Sequence, residues 1–137
     1  MSISFKKFQT PLEIVKRTFD EISQNSGGEV IFNYTQRNDN NYIYANSLKQ
    51  VDIRYDVTVR NSKNLKFRLY LLTIKQGLMP YPVEIQIIDD ILKSYSRNNA
   101  IDYFVKIIND ETELIAFLNE LINDNDFAKI LNSIYNL

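Results

Sequence analysis

Two hydrophobic periods divide the chain. Between residues 11 and 24 the apolar side chains Leu12, Val15, Phe19 and Ile22 recur at three- and four-residue steps, the spacing that lays one stripe along a helix. Thr10 ahead of Pro11 supplies an N-cap and a first-turn proline, and Glu13 sets an anion at the positive end of the helix dipole. Ser26-Gly27-Gly28 ends the pattern, so a helix is predicted from about Pro11 to Gln24.

From Glu29 to Ile88 the period drops to two. "QVDIRYDVTV" alternates most clearly, with Val51, Ile53, Tyr55, Val57 and Val59 on one face and Asp52, Arg54, Asp56 and Thr58 on the other. "EVIFNYTQ" and "NYIYANSL" flank the turn formers "RNDN" and are expected to form a hairpin. "LKFRLYLLTI" then places Leu65, Phe67, Leu69 and Leu71 on one face, and "KQGLMPY" turns the chain into "PVEIQII". Five consecutive strands with short connections predict an antiparallel meander with one buried and one wet face. "AIDYFVKIIN", over residues 100–109, is expected to be a sixth strand, with a helix as the alternative.

Helical spacing returns near residue 110. Asp110 and Glu113 have the spacing of a capping box and open "ETELIAFLNELIN", whose apolar stripe is read as Leu114, Ile115, Leu118, Leu121 and Ile122. "DNDFAKILNSIYNL" repeats the device, with Phe127, Ile130, Leu131 and Ile134 expected to be buried. The order of helix, five- to six-stranded meander and helix pair predicts one α+β domain over residues 1–137, with the two C-terminal helices packed on one face of the sheet.

Composition narrows the chemistry. Hydrophobic residues at 45% and charged residues at 24% are those of an ordinary globular domain. Sixteen basic against seventeen acidic residues give a net charge of −1, so no global field draws the chain onto nucleic acid or an anionic membrane. Without cysteine or histidine, disulfides, thiolate nucleophiles, imidazole bases and His- or Cys-ligated metals are excluded. The amino-terminal segment "MSISFKKFQTPLEIVKRTFDE" has no apolar core followed by a small-residue cleavage site, and the expected location is the cytoplasm, with no membrane partner. Abundant Ile and Asn with only three glycines and three prolines suggest an AT-rich coding genome of bacterial or phage type.

Carboxylates therefore carry the enzymatic alternative. Asp52 or Asp56 with Glu84 and Gln86 could hold magnesium in a restriction-type nuclease site, although such sites place a lysine where this chain has Gln86, with Lys75 as a substitute. The string "VEIQI" at residues 83–87 is also similar to part of the "EIQIRT"-type segment of RelA/SpoT-like ppGpp synthetases. That resemblance implies a role for Glu84 in catalysis and nucleotide binding. It covers about five residues, and the chain continues Ile88-Asp89-Asp90 in place of Arg-Thr, with no "YRSLH"-like segment upstream.

The reading that the residues favour is a solvated strand face on a small non-enzymatic protein of accessory, immunity or inhibitor type. It needs no cofactor or metal, acts by binding another protein and is compatible with a homo-oligomer. Its expected contact residues are Leu78, Met79 and Tyr81 on the proline-stiffened loop, with Arg54 and Arg68 of the preceding basic hairpin. That hairpin, with Arg60, Lys63 and Lys66, is also the site of a nucleic-acid-binding alternative.

Overall fold

The computed structural model describes residues 2–37, 45–47, 50–92 and 103–137. Helix α1 spans Pro11–Asn25, and the Thr10 hydroxyl accepts from the Glu13 backbone N–H at 3.2 Å, as the capping pattern requires. Gly27 and Gly28 then take φ values of +67° and +81°, a conformation that glycine adopts at little cost. The turn is tied to the first strand by two serines. The Ser23 hydroxyl donates to the Val30 carbonyl at 2.7 Å, and the Ser26 hydroxyl accepts from the Val30 N–H at 3.0 Å.

Strands β1 (Val30–Gln36), β2 (Ile53–Asn61), β3 (Leu69–Gln76), β4 (Val83–Ile88) and β5 (Tyr103–Ile108) form one antiparallel sheet in the order β1-β2-β3-β4-β5. Helices α2 (Glu111–Ile122) and α3 (Asn125–Tyr135) follow. All three helices contribute to a single core with one face of the sheet, so the α+β meander read from the sequence is the fold.

Four details depart from the sequence pattern. The neighbour of β1 is Ile53–Asn61, not "NYIYANSL". Of that segment, residues 45–47 are described and are not strand, and the remainder lies outside the described residues. Pairing β1 with β2 sets Phe32 opposite Val59 and Tyr34 opposite Val57, an apolar match that the turn residues "RNDN" cannot anticipate. The β2–β3 register shifts between Val57, opposite Leu72, and Thr58, opposite Tyr70, leaving Leu71 as the extra residue of a bulge. Leu69 is half-buried against the core and Leu71, Leu72 and Ile74 are buried in it, so both residues at the bulge are buried, while Leu65 and Phe67 precede the strand and are 71% and 43% exposed.

The third departure lies in α2, whose buried stripe is Leu114, Phe117, Leu118 and Leu121. Ile115 and Ile122 flank that stripe and face solvent. The fourth is that Ile130 and Leu131 of α3 are half-buried beside the fully buried Phe127 and Ile134. The sixth expected strand is present as β5, and residues 100–102 of that segment lie outside the described residues. The capping box of α2 forms with an offset. Asp110 Oδ1 accepts from the Glu113 N–H at 2.8 Å, while Glu113 Oε2 accepts from the N–H of Asn109, one residue before the cap.

The core is centred on Phe19, stacked on Phe32 with ring centroids 4.7 Å apart and 6.3 Å from the ring of Phe127. Asn61, only 2% exposed, closes one end. Its Nδ2 donates to the Ile134 and Tyr135 carbonyls at 3.0 and 3.1 Å, and its Oδ1 accepts from the Lys63 N–H at 2.8 Å.

Ile74→Ala, at a fully buried position of β3, is expected to cost about 2–5 kcal/mol. Ile107→Ala, on the exposed side of β5, is expected to stay within about 0.5 kcal/mol. Urea unfolding of the two variants checks the assignment of the sheet faces.

Candidate functional site

The face of the sheet away from the helices carries the polar residues that the sequence singled out. Even-numbered positions of β2 point to it, and the register sets Asp56 opposite Thr73 and Thr73 opposite Gln86, with Arg54 opposite Lys75 and Lys75 opposite Glu84. A hydrogen-bonded chain crosses the strands. Arg37 donates to Asp56 in a fork, Nε to Oδ2 at 3.0 Å and Nη2 to Oδ1 at 2.6 Å. The Thr73 hydroxyl donates to Asp56 Oδ1 at 2.7 Å, and Tyr70 shares a 2.6 Å hydrogen bond with the same threonine oxygen. Thr73 is wholly buried although it lies on the open face.

Electrostatics follow from these contacts. Burial alone would raise the Asp56 carboxyl, but the hydrogen bonds from Arg37 and Thr73 outweigh it and hold the group below the ordinary carboxylate value. Asp52 is lowered mainly by its hydrogen bonds from Arg54, whose Nε and Nη2 meet its two oxygens at 3.1 and 2.9 Å. Glu84 Oε2 accepts from Gln86 Nε2 at 2.8 Å.

This arrangement does not gather a metal site from Asp52, Asp56 and Glu84. Both aspartates have guanidinium partners on both oxygens, and β3 separates Asp56 from Glu84 by two strand spacings, roughly 10 Å. No group of three or more acidic residues suited to a cation occurs among the described residues. Lys75 sits in register with Glu84, the relation of a cross-strand charge pair. The Arg37–Asp56–Thr73–Tyr70 chain was not read from the sequence. Its only local signals are an aspartate inside "IRYDVTV" and a threonine inside "LYLLTI".

The expected contact residues fall into three places. Leu78 and Met79 lie on the β3–β4 loop, 59% and 64% exposed. Tyr81 instead packs against the core with its hydroxyl buried, and that burial, together with the charges of Glu111 and Asp110, raises its pKa. Arg54 belongs to the same end of the sheet as the loop, whereas Arg68 precedes β3 at the opposite end, so the basic hairpin is divided. Beside the loop an open cavity of about 200 Å³ is lined by Val51, Gly77, Pro82, Glu84 and Ile107 among others, and Ile107 is 51% exposed.

Comparison with protein-family models, with curated proteins and with solved structures finds no match for this chain. No helix among the described residues is long and apolar enough to cross a membrane.

Asp56 is depressed in the native state, so its stabilising contribution is complete above the unfolded carboxylate value of about 3.9 and is lost as pH falls through the lower native value. Asp56→Asn is therefore expected to unfold more easily at neutral pH and to show a shallower loss of stability below about pH 4. Urea midpoints of both proteins across the acid range check this.

Proposed function

We propose that the chain works by binding another protein at the end of the sheet that carries the β3–β4 loop. The observation that supports this reading is the pairing of Leu78 and Met79, more than half exposed, with a backbone held between Gly77 and the prolines Pro80 and Pro82. Large apolar side chains on a stiff loop lose little entropy when a partner covers them, and they concentrate binding energy in a small area. The adjoining cavity and the exposed Ile107 extend the apolar surface onto the edge strand, and Arg54 with Lys75 supplies a polar rim. This is the economy of a small accessory, immunity or inhibitor protein of a bacterial or phage cytoplasm, and a second copy of the chain is one partner compatible with it.

The enzymatic alternative lacks a corresponding observation, because the carboxylates it needs are bound to arginines or to Gln86. Glu84→Ala is expected to leave thermal melts with and without millimolar magnesium superimposable on those of the wild type. A metal-dependent rise in wild type that the variant loses would replace the binding reading with a metal site at Glu84.

The double variant Leu78→Ser/Met79→Ser is expected to keep the wild-type stability within about 0.5 kcal/mol, since neither side chain belongs to the core. Quantitative affinity capture from cells of the source should recover a partner with wild type and with Glu84→Ala but not with the double variant. A partner retained by the double variant would place the binding surface elsewhere.

A further inference from the structure

The opposite end of the sheet carries a second surface that folding does not use. The connection between β2 and β3 reads "SKNLKFR" from Ser62 to Arg68, and its apolar residues Leu65 and Phe67 stand outside the core. Extending the β2–β3 register one step beyond Val59 and Leu69 sets Arg60 across from Arg68, two like charges opposite each other. Among the described residues only Lys63 of this group has a carboxylate partner, Glu29 at 3.7 Å, and that lysine remains 79% exposed. Arg60, Lys66 and Arg68 have no ion-pair partner among the described residues.

We propose that this turn is a docking surface for an acidic segment of a partner protein that carries apolar anchors. Charge complementarity is the argument. Four cations gather at one turn of a chain whose net charge is −1, and a carboxylate already rests against one side of it, with Glu29 Oε2 accepting from the Ser62 hydroxyl at 3.3 Å. Leu65 and Phe67 alternate with Lys66 and Arg68, so a segment in which acidic and apolar residues alternate would meet both sets of side chains.

A nucleic-acid strand fits less well. Sequence-tolerant binding of single strands uses a succession of aromatic rings along a positive groove. The turn has one ring, Phe67, and on the open face beyond it Asp56 is paired with Arg37 and Glu84 lies in register with Lys75, so no continuous positive groove leads away from the turn. The inference rests on the protein-binding reading only in choosing a polypeptide. It concerns a separate surface, roughly 25 Å from the β3–β4 loop along the eight residues of β3.

The test is an amide NMR titration of the full chain with three probes: a synthetic peptide alternating glutamate with leucine or phenylalanine, an oligothymidine strand, and phosphatidylserine vesicles. The peptide is expected to shift the amides of Ser62 to Arg68. Lys66→Glu/Arg68→Glu should weaken that binding by roughly tenfold or more, and added salt should weaken it further. Leu78→Ser/Met79→Ser should bind the peptide as wild type does, which keeps this surface distinguishable from the first. Peptide shifts absent from the turn, or unchanged by charge reversal in a variant whose other amides keep their positions, would overturn the proposal. Tighter binding of the oligonucleotide or the vesicles at the same amides would also overturn it, in favour of a phosphate-bearing ligand.

Discussion

The contact between Phe19 and Phe32, extended to Phe127, holds together parts of the chain that sequence keeps far apart. A five-stranded sheet with one apolar face exposes that face until something covers it, and here the cover comes from both ends of the chain. Phe19 brings α1, Phe32 brings the edge strand and Phe127 brings α3, each ring nearly or wholly removed from water. Aromatic side chains bury more area than any others, and offset stacking adds to that burial. Ser23 and Ser26 fix the angle at which α1 returns onto the sheet by occupying both backbone polar groups of Val30. The remaining core positions of β2, β3, β4 and β5 continue the same buried layer.

The opposite face is organised by hydrogen bonds. Arg37, which follows β1, Asp56 of β2, and Thr73 and Tyr70 of β3 form one chain, in which both Asp56 oxygens have specific donors and Thr73 bridges Asp56 and Tyr70. A shift of β2 by one residue would turn Asp56 into the apolar layer, so the network and the core specify the same register. Asp56 ties β2 to β3 through Thr73, whereas Asp52 and Glu84 are bonded within their own segments, to Arg54 and Gln86. Leu65 and Phe67 at one end of the sheet, and Leu78 and Met79 at the other, are exposed apolar side chains outside the paired strands.

The sequence was most informative where local chemistry decides the outcome. Thr10-Pro11 and Asp110 with Glu113 are complete instructions for helix starts, because capping needs only residues a few positions apart. Alternation in "VDIRYDVTV" likewise marked the faces of β2. The bulge at Leu71 was hidden because "LYLLTI" contains consecutive apolar residues that fit either phase, and only the facing strand selects between them. The partner of β1 is hidden for a related reason: turn formers advertise a nearby reversal, whereas the match of Phe32 and Tyr34 with Val59 and Val57 spans a long connection. The stripe of α2 is ambiguous in sequence because Ile115 and Phe117 are equally apolar, and packing alone selects the aromatic residue. The candidate site was legible as a set of residues and illegible as an arrangement, since cross-strand neighbours such as Asp56 and Thr73 leave no local trace.

Asn61 gives the last helix a fixed length. Its buried amide is satisfied by the carbonyls of Ile134 and Tyr135, while Phe127 anchors the same helix near its start. An α-helix advances 1.5 Å and turns about 100° with every residue, so adding or removing one residue between those two points carries the acceptor carbonyls away from the amide or the ring out of the core. The strand thus acts as a gauge against which the helix is measured. Side-chain identity between Phe127 and Ile134 can drift on the solvent side, but the number of residues cannot.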